Sequence, residues 1–547
     1  MVLRMFPVLV LALLSACATS SRQTSTQPTA VPDHSGVARA QKSLPHQSAP
    51  AGVRMVHRND DAWLERWRMV SNARHSIDMT YFIIQPDVFG RAWMGLLLRK
   101  ARQGVRIRFM VDGRGTASIP GPFLDRADVH ALALLPNVDA RIYGPLTVSV
   151  LRGMLTADVK QFAASNHDKL IIVDGQTTML GGRNISKSYF TAPTDDPPAY
   201  IDLDVVLHGA TTAAQARRTF EMEFHSSAAF RVQLDGIGWR NPTDELLAAA
   251  SAMDDWLNTP PRATSLNVLE QGRQLAQRAA GRVGALTPRA REQLEEMCQE
   301  LAGYRWLQGS NVDPARVSRP TTTASATVVD TQSLLLARPH NEITPGFSAL
   351  LASAQSDVMI VNPYLVLDAA DLQDLVDAGT RGVRITVFTN SPDSTDNLLP
   401  QVFFLGVWQR LLQKVPNLTL HVAGKGPSLH SKLAVFDGKV TFVGSYNLDA
   451  LSRLINGEIS AVITSEAVAQ ENLMHIQARL KRGEPAVYTY GVVRDARGHA
   501  VLDAQGHATF VGGPEAHCSR ITLLRLRFML GALGLLRFHD LLSPLVF

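Results

Sequence analysis

The feature that most constrains this chain is a pattern written twice. His167-Asp168-Lys169 is followed after four residues by Asp174, and after six more by Gly181-Gly182-Arg183-Asn184. His430-Ser431-Lys432 leads at the same spacings to Asp437 and to Gly444-Ser445-Tyr446-Asn447. From average residue frequencies, one such match arises by chance on the order of once in several thousand sequences. Two in one chain are not coincidence. Each copy also closes a longer matching stretch. Residues 73–81 and 354–360 read as buried strands, and helical stretches follow through Leu96, Leu97 and Ala101 and through Leu372 and Leu375. Gly104-Val-Arg-Ile107 and Gly382-Val-Arg-Ile385 then open second strands.

Strand, helix and strand in repeated order predict an α/β chain of two similar halves with mainly parallel or mixed sheets, packed together pseudo-symmetrically. With 547 residues there is room for both. The first half is read as 53–235 and the second as 321–482, with a helical connection over 236–320 punctuated by Pro260-Pro261 and Pro288. Residues 18–52, rich in Ser, Thr, Gln, Pro and Ala, have the composition of a flexible tether. The extension 483–547 breaks into short hairpin-like pieces and an apolar end from Ile521 to Phe547. Arg525, Arg527 and Arg537 argue against a bilayer crossing there and leave an interfacial or a buried helix. Hydrophobic residues at 46% and charged residues at 19% exclude a mostly disordered chain. The net charge of +5 is too mild to mark a nucleic-acid protein, though it suits an anionic substrate or a membrane surface.

The first 17 residues read as a secretory leader: one Arg4, an apolar run to Leu14, then Leu14-Ser15-Ala16-Cys17. That tetrapeptide resembles the lipobox of bacterial lipoproteins, which implies lipidation at Cys17. Ala18 stands where that family's inner-membrane retention signal would be Asp. The resemblance therefore implies a lipid-anchored protein of the cell envelope, at the outer membrane and facing the periplasm. Cys298 and Cys518 would then sit in an oxidising compartment, with their pairing left open.

On a strand, His and Lys separated by one residue point to the same side. The apolar runs that follow, Leu170 to Val173 and Leu433 to Phe436, suit central strands covered on both faces. Gly181-Gly182 and Gly444-Ser445 would let backbone approach a ligand closely. Gly182, Ser445, Asn184 and Asn447 are thus candidates for binding a phosphate beside the two imidazoles and two ammonium groups.

The paired motif resembles the HxKxxxxDxxxxxxG[GS]xN signature of the phospholipase D superfamily, in its two-copy form. Segments from Gly181-Gly-Arg-Asn-Ile185 with Tyr189-Phe190, through Asp202-Leu-Asp204, Thr389-Asn-Ser391 and Ser394-Thr-Asp396, to Gly444-Ser-Tyr-Asn-Leu-Asp449 with Asn456 and Glu458 are similar to bacterial cardiolipin synthases, especially the periplasm-facing C type. The resemblance covers about Val53 to Arg482. It implies two α/β sandwich halves and places catalysis on His167, Lys169, Asp174, His430, Lys432 and Asp437. By resemblance His167 is the nucleophile and His430 the acid and base, and near symmetry leaves those roles exchangeable. Each ring needs a carboxylate on its far nitrogen. Glu458 matches such a glutamate in the family; in the first half Asp202 is the candidate, with Asp204 in reserve. Asp174 and Asp437, although part of the signature, are expected to brace the turn after each strand. No metal or other cofactor is expected, because the lysines supply the positive charge.

The expected activity is phosphatidyl transfer between phospholipids to make cardiolipin, through a phosphoryl-histidine. Hydrolysis to phosphatidic acid is the alternative, and a periplasmic nuclease a third; a binding-only role would require loss of a motif His or Lys. The partners implied are a phospholipid substrate and the membrane through the anchor. No cluster of basic and aromatic residues suggests nucleic acid, and no protein partner is identified. Two departures bear on the acceptor: Ser165-Asn166 and Asp168 surround the first His, where the synthases show a basic-Met-His-Asn run, and Val402–Gly406 lacks their His and Tyr. Tyr81 and Tyr364, at the ends of equivalent strands, are read as pocket or core.

Overall fold

The computed structural model describes residues 40, 44–116, 126–145, 164–192, 199–232, 241–261, 267–284, 286–313, 321–483, 486–496 and 500–535. Cys17, the leader, most of the tether, and the chain beyond Leu535 lie outside the described residues.

The first half runs β1 (Ala49–Val56), α1 (Asn59–Asn72), β2 (Ser76–Tyr81), α2 (Val88–Arg102), β3 (Arg106–Asp112), α3 (Ala127–Ala133), β4 (Val138–Tyr143), β5 (Lys169–Val173), β6 (Thr177–Gly181), α4 (Lys187–Phe190), β7 (Asp204–His208), α5 (Ala210–Phe224) and β8 (Ala229–Arg231). Three helices follow, α6 (Thr243–Asn258), α7 (Val268–Ala280) and α8 (Pro288–Gly303). The second half repeats the plan with β9 (Thr322–Thr331), α9 (Ile343–Ser353), β10 (Asp357–Val361), α10 (Ala369–Thr380), β11 (Arg384–Asn390), α11 (Leu398–Lys414), β12 (Leu418–Ala423), β13 (Leu433–Phe436), β14 (Val440–Gly444), α12 (Ala450–Leu454), β15 (Glu458–Thr464), α13 (Glu466–Arg482) and β16 (Val487–Val492). β17 (Phe510–Val511) and α14 (Arg520–Leu535) complete it.

Pairing makes the repeat visible. In the first half the strand order is β8-β4-β3-β2-β5-β6-β7-β1, with β2, β3 and β4 parallel and the other contacts antiparallel. The second half reads β16-β12-β11-β10-β13-β14-β15-β9 with the same directions. β1 and β9 pair antiparallel, so the halves meet strand to strand. A shared apolar core, including Leu170, Leu203, Val205, Leu429, Leu433 and Ile459, lies between them. The central strands β5 and β13 are buried along their whole length, as their unbroken apolar runs require.

Two boundaries depart from the sequence reading, and the open question of cysteine pairing is answered. Folded structure starts inside the expected tether, because Ala49-Pro-Ala-Gly52 contributes main-chain pairing to β9, which small side chains do not hinder. The C-terminal extension is not separate: β16 adds to the second sheet beside β12. Cys298 and Cys518 are free and buried, so they do not pair with each other. The helical connection packs its large apolar side chains on the first half, where Trp63, Trp67 and Trp93 meet Met253 and Leu257 in one core.

Candidate active site

Both motif strands deliver their histidines at the seam between halves, and the backbone there crosses over. The His167 N–H donates to Gly457 O and the Gly457 N–H to Ser165 O, at 2.9 and 2.8 Å. The His430 N–H donates to Ile201 O and the Ile201 N–H to Ser428 O, each at 2.8 Å. Each short bridge joins the segment before one half's histidine to the segment before the other half's carboxylate.

The side chains follow. His167 Nδ1 lies 3.0 Å from both oxygens of Glu458, and His430 Nδ1 lies 2.6 Å from Asp202 Oδ2. Sequence order located one carboxylate in each half but did not say which ring it serves; the pairs are exchanged across the seam. With Nδ1 engaged by a carboxylate, Nε2 is the nitrogen turned to chemistry in each ring, and Lys432 Nζ lies 3.3 Å from that of His430. Lys169 Nζ donates to His167 O at 2.6 Å, and Lys432 Nζ to His430 O, which draws each ammonium back beside its own imidazole. Phe82 meets the His167 ring edge-on at 4.8 Å, while Tyr200 stacks on His430 at 5.5 Å and Tyr189 stands edge-on to it at 5.4 Å.

The exchanged carboxylates and backbone bridges bring the two motifs to one seam, where their charges bear on one another. Burial holds the His167 imidazole well below its ordinary value, helped by Lys169, Lys432 and His430. His430 is also lowered by burial and by Lys432, but Asp202 opposes the shift. Burial brings Lys169 down to about 7 and raises Glu458 to about 7. For Asp202 burial works upward, yet His430 and Lys432 outweigh it and hold the carboxyl below its usual value. Glu458 further accepts hydrogen bonds from the Ser445 and Ser452 hydroxyls.

Several expected roles change. Gly182 was a phosphate-binding candidate, but a Cβ there would lie 2.2 Å from Asp202 Oδ1, and its N–H is spent on Leu203 O. Its glycine makes room for a carboxylate. Ser445, the matching residue, donates its hydroxyl to Glu458 and its N–H to Ile459 O, so it too serves the orienting carboxylate. Asn184 gives one amide hydrogen to the Tyr189 hydroxyl and accepts from the Ile83 N–H, so half of its hydrogen-bonding capacity is spent within the protein. Asn447 differs: its buried Oδ1 has no hydrogen-bond partner.

Asp174 and Asp437 stand five residues beyond the lysines, about 16 Å along an extended strand. They adopt φ of 50° and 51°, and their carboxylates accept the N–H groups of 74–76 and 355–357. They brace the turn, and neither belongs with the catalytic groups. Asp204, the reserve partner, is taken by Arg66 and Arg183 in a fully buried ion cluster. Tyr81 gives its hydroxyl to the same cluster as acceptor from Arg66. Tyr364 donates to Asp396 at 2.8 Å, and the charge of Asp396 bears on His430 and Lys432. Asp396 and Tyr200 were not among the expected site residues. Asp396 sat in a segment noted only for its resemblance, and Tyr200 carries no motif. Among the described residues, two groups have the spacing for metal ligands, His57-Glu471-His475 and His46-Asp330-Glu342. Both exclude the motif histidines.

The model of the family described as cardiolipin synthase, PLD-like domain, matches residues 67–223 and 347–479, one segment in each half. The chain belongs to this family. Cardiolipin synthase C of Escherichia coli is 26% identical over 436 residues, covering 77% of this chain and 82% of that one. An uncharacterized protein of Helicobacter pylori J99 is 23% identical, covering 84% and 86%. Among solved structures, the phosphatidylserine synthase of Haemophilus influenzae has the same fold at a TM-score of 0.56 and 13% identity, covering 93% of this chain and all of that one. In this phospholipase D-like family, the two-segment match coincides with the repeat of sheet and motif described above.

Proposed function

We propose that the protein is a phosphatidyltransferase that makes cardiolipin through a phosphoryl-histidine at His167. The observation that carries this reading is the unequal pair of imidazoles on one site, each fixed through Nδ1 by a carboxylate from the opposite half. A phosphodiester repels nucleophiles by its charge, so the site must neutralise that charge and supply an uncharged nucleophile. Lys169 and Lys432 supply the first.

His167 suits the second, since burial and three cationic neighbours keep its ring neutral. Its Nε2 lone pair attacks phosphorus, and the bond from phosphorus to the headgroup oxygen breaks. His430 enters with a proton on Nε2 and delivers it to the departing alkoxide. The anionic substrate and the ionised Asp202 favour that protonated form. In the second step His430 takes the proton of an incoming lipid hydroxyl, whose oxygen attacks phosphorus and releases His167. The similarity to cardiolipin synthase C supports a glycerophospholipid as acceptor.

The proposal includes an acyl anchor at Cys17 holding the enzyme at the cell envelope, facing the periplasm. Intact-mass measurement of the membrane-extracted protein tests it: an unmodified or uncleaved leader would refute it.

Purified protein incubated with phosphatidylglycerol, phosphatidylethanolamine or DNA, with products identified by mass, tests the activity. Cardiolipin supports the reading. Phosphatidic acid alone would reassign the chain to hydrolysis, and nicked DNA without lipid turnover would overturn it.

A further inference from the structure

The last helix has two apolar faces, and only one is used. Leu523 and Leu526 of α14 are buried, Leu526 in a small core with Val366, Val402, Phe403 and Ala450. On the opposite side Ile521, Leu524 and Phe528 are 66%, 71% and 77% exposed. At 3.6 residues per turn these three fall within about 60° of arc, with Arg520 and Arg525 on either flank. No acidic residue occurs from Arg520 to Leu535. Eight of the fourteen exposed large hydrophobic side chains among the described residues lie between Tyr488 and Phe528, so they concentrate in this stretch of the sequence.

The helix is also tied to the site. The Ser519 N–H that begins it donates to Asp393 at 2.7 Å, in the loop that continues to Asp396. Ala450, which packs with Leu526, lies three residues after Asn447. The helix therefore borders both loops that flank the second motif.

We propose that the exposed face of α14 docks on the surface of an anionic phospholipid bilayer and sets the mouth of the site against the headgroups. The occupant rests on the lipid reading of the site given above. Two observations favour a bilayer over a protein. The arginines flank the apolar stripe, where their stems can lie along it while guanidinium groups reach lipid phosphates. The sequence beyond the helix, Leu536 to Phe547, stays largely apolar, with a further Arg537 and a single acidic residue, Asp540. No described helix is long and apolar enough to cross a membrane, which fits a helix lying in the interface. The apolar face would add its own contact with the bilayer to that of an acyl anchor at Cys17.

The test uses residues 17–547 with Cys17→Ser, so that neither leader nor acyl group contributes, and vesicles of phosphatidylethanolamine with phosphatidylglycerol. This protein should co-sediment with the vesicles. Adding Leu524→Glu and Phe528→Glu should lower the bound fraction at least about tenfold. Leu269→Glu with Val312→Glu, at exposed apolar positions elsewhere, should leave it unchanged. Turnover of a water-soluble short-chain phosphatidylglycerol should be equal in all three proteins. That second readout separates the two readings: vesicle binding without any turnover would sink the transferase and leave the docking face standing. Absence of vesicle binding by the unaltered face would overturn the docking proposal, as would equal binding after Leu524→Glu and Phe528→Glu.

Discussion

His167 and His430 occupy matching places in matching halves, yet their surroundings are not equal. His167 faces Glu458, whose carboxyl is raised to about 7 by burial and steadied by two serine hydroxyls. His430 faces Asp202, held ionised by His430 and Lys432 against the pull of burial. The residue after the second strand of each motif accounts for part of this. Gly182 lets Asp202 sit where a side chain would otherwise be, and Ser445 instead supplies a donor to the longer Glu458. The comparison teaches that a duplicated site can divide labour through the neighbours of two identical side chains. A firmly ionised partner favours an imidazolium and hence an acid, whereas a weakly ionised one leaves the ring neutral and nucleophilic.

The largest effects should come from the rings themselves. His167→Ala and His430→Ala should each lower transferase turnover by roughly 10^4-fold or more. They differ in what can be trapped. With a substrate whose leaving group needs no proton, His430→Ala should still accumulate phosphoryl-enzyme by mass spectrometry, and His167→Ala should not. Trapping in His167→Ala would exchange the assigned roles. Next come the carboxylates: Asp202→Asn should cost about 10^3-fold in kcat and Glu458→Gln about tenfold, compared by steady-state kinetics. Equal losses would mean that the electrostatic difference has no catalytic consequence.

Effects smaller than that of Asp202→Asn should appear at the supporting residues. Gly182→Ala forces Asp202 aside and should lower kcat about 100-fold, whereas Ser445→Ala loses one hydrogen bond to Glu458 and should cost about 1–2 kcal/mol of stability. A Gly182→Ala enzyme with ordinary kcat would remove the steric account of Asp202. The smallest effect concerns pH. Because the Glu458 carboxyl is raised from 4.5 to about 7 in the folded protein, its cost to stability grows as pH rises from about 4.5 to about 7. Denaturant unfolding across that window should be flatter in Glu458→Gln.

Much of the architecture could be read along the chain because it is local and periodic. The continuous apolar runs of β5 and β13, and the strand-helix-strand order before them, needed no knowledge of distant contacts. Bracing by Asp174 and Asp437 was legible for a similar reason, since five residues on a strand carry a side chain away from the lysine. The roles of Gly182 and Ser445 were not legible. Small residues after a strand suggest ligand approach, and only the position of Asp202 or Glu458 reveals that the space is for a carboxylate. Asp396 was missed because its link to the site runs through the Tyr364 hydroxyl and through charge, neither of which leaves a pattern in sequence. The apolar C-terminal segment was left open between buried and interfacial, because its composition is the same on both faces; packing of Leu523 and Leu526 against the protein separated them.

The sequence by itself determined that two like halves each carry a histidine, a lysine and a candidate carboxylate, since periodicity and spacing are properties of the chain alone. Which carboxylate holds which ring was decided only by the tertiary structure. The bridges at Gly457 and Ile201 exchange partners across the seam, and a hydrogen bond between residues hundreds of positions apart depends on how two sheets meet, which no local spacing encodes.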